Sequence, residues 1–206
     1  MKIQPLAKQN CKAAAQTVAN AFFEYPSLIA YFPDAKKRIK KLPWYMERVL
    51  RSALAYGEAW TTEDGSGVLF LLPPDHTVLS DWDYVKCGFL AAPLVVGVRH
   101  YALVNSCEAY LAKMQKELLK ERPHYYLWGL AVDPSKQRSG AGKALLSALF
   151  EKADHESMPI YLETHRFENV AYYESNGFAL IHKDCVPNTD LDFWCMLREP
   201  KQEANA

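Results

Sequence analysis

Hydrophobic and polar residues follow two periods along this chain, and the switches between them predict the order of its strands and helices. Residues 2–6 predict a first strand. Residues 10–23 are rich in alanine, with apolar side chains at helical spacing, and predict a helix. A second helix is expected to begin at Pro43, because proline suits a first turn, and to end before Gly57.

A β-hairpin is predicted over residues 58–72. Its strands, residues 58–62 and 68–72, flank the turn sequence Glu63-Asp64-Gly65, and a Pro-Pro pair ends the second strand. From residue 77 to 122 no strand pattern is convincing, whereas apolar residues between 103 and 118 recur as in a long amphipathic helix. We therefore expect a helical insertion over residues 77–122.

The last part of the chain alternates between strand and helix patterns. Strands are predicted over residues 125–132, 160–163, 178–183 and 191–198, and helices over about 141–156 and 168–175. Such alternation is typical of an α/β (α+β) protein with helices on both faces of a mixed sheet. No linker divides the chain, so we expect one domain over residues 1–199 and a polar, frayed tail over 200–206.

Charge and cysteine content narrow the class of protein. Lys and Arg number 24, as do Asp and Glu, which leaves no basic footprint for nucleic acid. The five cysteines form no C-x-x-C pair, which favours reduced thiols in a cytoplasmic protein, and neither they nor the six histidines have metal-ligand spacing. We expect no nucleic-acid partner and no metal.

No segment predicts a membrane association. Residues 1–5 lack the apolar core of a signal peptide. The most apolar run, residues 88–98, is interrupted by Pro93 and is too short to span a bilayer. A buried or lid-forming helix is the favoured interpretation of this run.

The most informative stretch lies between a predicted strand and a predicted helix. It reads Gln137-Arg138-Ser139-Gly140-Ala141-Gly142-Lys143-Ala144. Two glycines at the mouth of a helix let the backbone approach a ligand, and the free N–H groups of the first turn suit an anion such as a pyrophosphate. The spacing matches neither G-x-x-x-x-G-K-[ST] nor a dinucleotide-binding G-x-G-x-x-G. An ordinary loop before an ordinary helix is the alternative.

This stretch and the elements after it resemble the acyl-CoA signature of the GNAT N-acetyltransferase superfamily. The resemblance lies in Gln/Arg-x-x-Gly-x-Gly after a strand ending in Ala-Val-Asp-Pro, and in Asn-x-x-x-Tyr-Glu-x-x-Gly-Phe at residues 169–178. It implies the GNAT fold, with a mostly antiparallel mixed sheet, and acetyl-CoA as acyl donor. The residues that it places at the cofactor are Leu130, Ala131, Val132, Gln137, Arg138, Ser139, Gly140, Ala141, Gly142, Lys143, Ala144, Asn169 and Tyr173.

The resemblance also implies individual roles. The backbone of residues 130–132 is expected to hydrogen-bond pantetheine, on a strand that splays from its neighbour. Tyr173 is expected beside the CoA sulfur, with a core aromatic as the alternative. Asn169 is expected against pantetheine or phosphate, with an N-cap as the alternative. For Tyr172, packing is the expected role.

Acyl transfer to an amine needs a base for the ammonium, a donor for the developing oxyanion and an acid for the departing thiolate. Tyr173 is the candidate acid. Glu24 and Glu163 are candidate bases, and a solvated surface carboxylate is the alternative for each. His165 is expected to be an exposed loop residue, with a contact to substrate as the alternative. Several aromatic residues are candidates for an acceptor wall, with core packing as the alternative: Phe22, Phe23, Tyr25, Tyr31 and Phe32.

Over its full length the chain resembles puromycin N-acetyltransferase and its relatives, in features that include Ala-Phe-x-x-Tyr-Pro from Ala21 and Trp-Cys-Met from Trp194. No serine or cysteine has a visible base partner, which favours direct transfer. We therefore expect an acetyl-CoA-dependent N-acetyltransferase acting on a primary amine of a small molecule, as a monomer or homodimer. Acetylation of a protein N-terminus or lysine, and a non-catalytic acyl-CoA sensor, are the alternatives.

Overall fold

The computed structural model describes residues 1–201, which contain one seven-stranded sheet with helices on both faces. The strands are β1 (Ile3–Pro5), β2 (Glu58–Thr62), β3 (Gly67–Leu72), β4 (Tyr125–Val132), β5 (Ile160–Thr164), β6 (Ala179–Cys185) and β7 (Asp192–Arg198). The helices are α1 (Cys11–Ala21), α2 (Pro26–Tyr31), α3 (Ala35–Tyr56), α4 (Asp81–Lys86), α5 (Ala92–Val96), α6 (Val98–Leu119), α7 (Ala141–His155) and α8 (Glu168–Glu174). The strand order is β1-β2-β3-β4-β5-β7-β6, and only β4 and β5 run parallel. The expected mixed, mostly antiparallel sheet is confirmed.

Two hydrophobic cores cover the two faces of the sheet. Val68 and Phe70 of β3 belong to one core, and Leu69 and Leu71 belong to the other, because successive side chains of a strand point to opposite faces. Residues of α1, α3 and α6 fill the first core, and residues of α7 and α8 fill the second. All six residues of β3 are buried as a result. The neighbouring strand β4 is thereby held in a fixed position.

The helical insertion expected over residues 77–122 contains α4, α5 and α6, between β3 and β4. Helix α6 contacts α2 and α5, and α3 contacts both α4 and α5. The apolar side of α6, which includes Val104, Cys107 and Leu111, is buried in the first core. The insertion therefore forms a roof over the α1–α3 face of the sheet.

The expected start of a helix at Pro43 is wrong, because Pro43 lies inside α3. The helix begins at Ala35, where the Asp34 side chain accepts a hydrogen bond from the Lys37 N–H at 3.1 Å and so caps the first turn. An internal proline removes one backbone hydrogen bond. Burial of the inner face of α3, which includes Leu42 and Leu50, compensates for this loss.

Other differences are confined to element ends and to one short helix. Residues 26–31, read from the sequence only as an aromatic-rich segment, form α2 with proline in its first turn. Strand β6 begins at Ala179, one residue later than expected, after Gly177 takes a φ of 88°. None of the described helices is both long and apolar enough to cross a membrane. Of the tail expected over 200–206, residues 202–206 lie outside the described part of the chain.

Candidate active site

A wedge opens between β4 and β5. Strand β4 pairs with β3 from Tyr126 to Val132, with a bulge at Trp128, but with β5 only at Tyr125 and Tyr126. Beyond Tyr126, the β5-facing backbone groups of β4 are free of strand partners among the described residues. A free strand edge can form a ladder of hydrogen bonds with an extended ligand. Leu130 faces this wedge and Ala131 is buried beside it.

The loop before α7 has the geometry of an anion site. Gly140 is the N-cap residue with a φ of 89° and provides no side-chain cap, so the N–H groups of the first turn have no acceptor among the described residues. Residues 137–140 are exposed, and Arg138 has a φ of 64°. The side chains of Arg138 and Lys143 make no ion pair within residues 1–201. The positive end of α7 therefore lies in a segment with two cationic residues, an arrangement that suits an anion.

Gly142 joins this loop to the wedge. A Cβ at this position would lie 3.0 Å from the Tyr172 hydroxyl and 3.6 Å from a methyl group of Val132. Tyr172 remains 39% exposed while its ring packs edge-on against Tyr173, with centroids 5.5 Å apart. The role of Tyr172 is therefore not limited to packing, because its hydroxyl lies close to Gly142 in the first turn of α7.

Tyr173 lies at the inner end of the wedge. Its side chain is 9% exposed, packs against Phe178 and lines the cavity described below. Burial raises the pKa of Tyr173, and the nearby Tyr25 adds to the rise. Its hydroxyl makes no hydrogen bond within the described residues. It is therefore a protonated phenol that faces the cavity.

Asn169 holds the turn between β5 and α8 in place. Its amide donates to the Thr164 hydroxyl at 2.9 Å, and that hydroxyl is 3.2 Å from the Tyr25 hydroxyl. Tyr25 in turn accepts from the His165 N–H at 2.7 Å. The N-cap interpretation of Asn169 is wrong, because the N-cap residue of α8 is Phe167. Asn169 also lines the cavity, next to Tyr173.

A cavity of about 710 Å³ lies between the sheet and the insertion and reaches Tyr173. Its wall is rich in aromatic side chains, which are Phe22, Tyr25, Tyr31, Tyr45, Phe70, Tyr84, Phe89, Tyr101, Tyr126, Trp128 and Tyr173. Three acidic residues line it, Asp81, Glu108 and Glu163, whereas no lysine or arginine of the described chain does. The cavity is therefore both aromatic and electronegative.

Of the two candidate bases, Glu163 lines the cavity and Glu24 does not. The Glu24 side chain is 63% exposed and pairs with Arg38 at 3.2 Å. Burial raises the pKa of Glu163 to about 7, and the charge of Glu108 adds to the rise, whereas the hydroxyls of Tyr126 and Tyr161 oppose it. A carboxylate with a pKa near neutrality can both accept and release a proton under physiological conditions.

Of the aromatic residues before α3, some line the cavity and others pack away from it. Phe22, Tyr25 and Tyr31 line the cavity. Phe23 instead packs under the Arg38 guanidinium at 4.6 Å, and Phe32 packs edge-on against Tyr45 in the core. His165 lies in the loop after β5, but the expectation that it is exposed is wrong. It is half-buried on the cavity wall, its Nδ1 lies 2.9 Å from the Asp192 carbonyl, and burial lowers its pKa.

Glu108 is the main site residue that the sequence reasoning missed. Burial raises its pKa to about 7, and it lines the cavity from α6. A signal existed, because Glu108 is four residues after Val104 and three before Leu111, on the apolar side of its helix. A carboxylate in that position is unusual unless it has a function.

Among the described residues, this site contains neither a cysteine nor a cluster of metal-binding side chains. No cysteine of residues 1–201 lines the cavity. Burial raises the pKa of the Cys107 thiol, and raises that of Cys195 to about 12, so both stay protonated. Within the same residues, no cluster of three or more His, Cys, Asp or Glu side chains has the arrangement of a metal site.

Comparison with known proteins finds that this chain is similar to acetyltransferases. Residues 95–178 match the model of the Acetyltransferase (GNAT) family. An uncharacterized N-acetyltransferase of Schizosaccharomyces pombe is 25% identical over 214 residues, which cover 100% of this chain and 86% of that protein. A shorter match, 40% identical over 70 residues, covers 31% of this chain and 47% of the ribosomal protein bS18-alanine N-acetyltransferase of Escherichia coli.

Solved structures share the fold at low sequence identity. A Corynebacterium glutamicum protein, described as histone acetyltransferase HPA2 and related acetyltransferase, matches with a TM-score of 0.68 at 18% identity over 98% of both chains. PaiA N-acetyltransferase of Thermoplasma acidophilum, in complex with coenzyme A, matches with a TM-score of 0.54 at 12% identity over 96% of this chain and 98% of that one. These likenesses show the fold, and the match of residues 95–178 to the family model supports an acetyltransferase.

Proposed function

We propose that this acetyltransferase transfers the acetyl group of acetyl-CoA directly to a primary amine of a small molecule bound in the cavity. The observation that carries the proposal is the cavity of about 710 Å³ between the insertion and the sheet, which reaches Tyr173. A space of this size suits a small ligand. The finer likeness to puromycin N-acetyltransferase, the cytoplasmic location and the monomeric or homodimeric state stay predictions.

The residues along β4 and α7 fit the parts of acetyl-CoA. The N–H groups at the start of α7, with Arg138 and Lys143, suit the phosphates. The absence of a side chain at Gly142 leaves room beneath the Tyr172 hydroxyl. The free edge of β4 after Tyr126 suits the two amides of pantetheine. Bound there, acetyl-CoA supplies the acetyl group as a thioester.

Glu163 fits the role of general base. An alkyl ammonium with a pKa of about 10 must lose a proton before it is nucleophilic. Glu163 faces the cavity with a pKa raised by burial to about 7, so it can take up that proton directly or through water. Glu24, paired with Arg38 outside the cavity, is not placed for this role.

Tyr173 and the β4 backbone fit the other two roles. The Tyr173 hydroxyl stays protonated and faces the cavity, so it can give a proton to the departing thiolate. The unpaired N–H groups of β4 can donate to the oxygen on which charge develops. The raised thiol pKa values of Cys107 and Cys195 favour direct transfer over a cysteine-bound acetyl group.

A second candidate function is acetylation of a protein N-terminus. The 40% identity to the bS18-alanine N-acetyltransferase favours it, although that match covers 31% of this chain. The roof formed by α4–α6 opposes it, because an extended peptide needs an open groove. A non-catalytic acyl-CoA sensor is the third hypothesis. The presence of Glu163 and Tyr173 on the wall of one cavity argues against it.

Release of CoA thiol distinguishes these functions. The protein is incubated with acetyl-CoA and, in separate arms, with a panel of alkyl and aryl-alkyl primary amines and with peptides that begin with alanine. We expect release with small amines, at a rate at least about tenfold above that with peptides. Faster release with peptides would establish the second function instead, and no release in any arm would favour the sensor.

A further inference from the structure

Glu108 is a carboxylate without a protein partner inside the proposed acceptor cavity. It makes no hydrogen bond and no ion pair within residues 1–201, although burial removes much of its hydration. An ionised carboxylate in such surroundings is costly unless a cation or hydrogen-bond donors accompany it. Within residues 1–201, no lysine or arginine lines this wall. The ionised form of Glu108 would therefore be stabilised by a cation from outside the chain.

The groups around Glu108 suit an organic cation. Glu108 lines the same cavity as the rings of Tyr31, Tyr45, Tyr84 and Tyr126. Aromatic faces attract ammonium groups. The rings also line the cavity continuously and offer apolar surface to a hydrocarbon chain. The surroundings thus favour an ammonium group attached to an apolar carbon skeleton.

The acetylated nitrogen cannot be the partner of both carboxylates. That nitrogen must lie near Tyr173 and give up its proton, a task for which Glu163 is placed on β5. Glu108 belongs to the insertion, on α6, and its own charge acts on Glu163 across the cavity. A neutral amine at Glu163 would leave Glu108 unpaired. A second nitrogen that remains protonated would satisfy it.

We propose, resting on the proposed function, that Glu108 is a specificity-determining residue that binds a second ammonium group of the acceptor. The substrate class is then a diamine, with two primary or secondary amines joined by an apolar linker. One nitrogen is acetylated at Glu163 and Tyr173, while the other stays charged between Glu108 and the tyrosine rings. Asp81, exposed at the rim, adds to the negative potential that draws such a dication into the cavity.

Matched amines and a matched variant test this proposal. The parent protein, Glu108→Gln and Glu117→Gln are compared with alkane diamines of four to eight carbons and with the monoamines of equal length. Glu117 is the control, because it lies on the outer side of the same helix, 54% exposed and 3.6 Å from Lys113. For the best diamine we expect the parent to show a kcat/KM at least about tenfold above that of its monoamine. Glu108→Gln should reduce the ratio below about threefold, and Glu117→Gln should retain it.

If a variant folds poorly, a binding measurement on the parent protein still tests the proposal. Calorimetry on the parent with CoA present should show tighter binding of hexamethylenediamine than of hexylamine, again by at least about tenfold. Equal kcat/KM values for the two amines in the parent, or a ratio that survives in Glu108→Gln, would overturn the proposal while the acetyltransferase function stands. Glu108-dependent binding of the diamine without any CoA release would instead overturn the proposed function and support the cation site. If the diamine does not bind and no amine causes CoA release, both proposals are overturned.

Discussion

Replacement of Glu163 by glutamine tests the general base and the protonation state of the cavity together. Glu163 has a pKa raised to about 7, so about half of the molecules carry an ionised base at pH 7, about a tenth at pH 6 and about nine tenths at pH 8. For the parent, log(kcat/KM) for hexylamine should therefore change slope by one near pH 7. In Glu163→Gln that break should disappear, and kcat/KM at pH 8 should fall by about 10²-fold.

The same substitution has a predictable effect on stability, which shows whether the variant is folded. Burial raises the pKa of Glu163 from 4.5 to about 7, so the folded protein binds more protons than the unfolded chain between these values. The free energy of unfolding then falls as pH rises through this window. Glutamine removes this effect, so the variant should be more stable than the parent at pH 8, by up to about 3 kcal/mol, and little changed below pH 4.5.

The assay compares the parent with three variants over pH 5.5 to 9, with CoA thiol release as the readout and Tm measured at each pH. Glu117→Gln should behave as the parent does. Glu108→Gln should keep a break but shift it to lower pH, because the charge of Glu108 helps to raise the Glu163 pKa. A Glu163→Gln protein that keeps the break near pH 7, or loses less than about threefold in kcat/KM at pH 8, would refute Glu163 as the base.

The cofactor half of the site gives three further predictions. Gly142→Glu places a carboxylate where the backbone should meet phosphate, so calorimetry should show CoA affinity reduced at least about tenfold, and unchanged affinity in a folded variant would contradict the loop assignment. The double change Arg138→Ala with Lys143→Ala should weaken CoA more than dephospho-CoA if either cation binds the 3′-phosphate; equal losses would limit them to the pyrophosphate. Tyr173→Phe keeps the packing, so CoA affinity and Tm should stay near those of the parent while the single-turnover rate falls by about 10²-fold, and an unchanged rate would reject Tyr173 as the acid.

Local pattern was sufficient for the strands of the sheet and for the turn after α8. The alternation along residues 125–132 and the Gly177 turn depend on neighbours in the sequence, and the structure has both. The start of α3 required tertiary information, because a proline at position 43 predicts a helix start unless the Asp34 cap and the buried inner face are known. Local propensity is outweighed by packing in such a case.

The acceptor half of the site depends on distant parts of the chain, and for that reason sequence reasoning found little of it. Glu108 of α6 and Glu163 of β5 line one cavity only because the chain folds back between them. In the same way Tyr25 holds Thr164 and His165, about 140 positions away along the chain. A single sequence does not reveal such pairs. A glutamate on the apolar side of α6 was the one local signal of a site there.

The attachment of the insertion makes the two halves of this protein separable. Leu72 and Tyr126 are direct partners across the ladder of β3 and β4, so the segment that carries Glu108 leaves the sheet and returns to it at adjacent points. The donor half, from β4 through α8, is continuous in the chain and begins only after that return. Replacement of this insertion by the corresponding segment of a relative would therefore change the part of the acceptor wall that carries Glu108, while the elements proposed to bind acetyl-CoA stay the same. Evolution could diversify the accepted amines by the same route, through exchange or drift of one excisable segment.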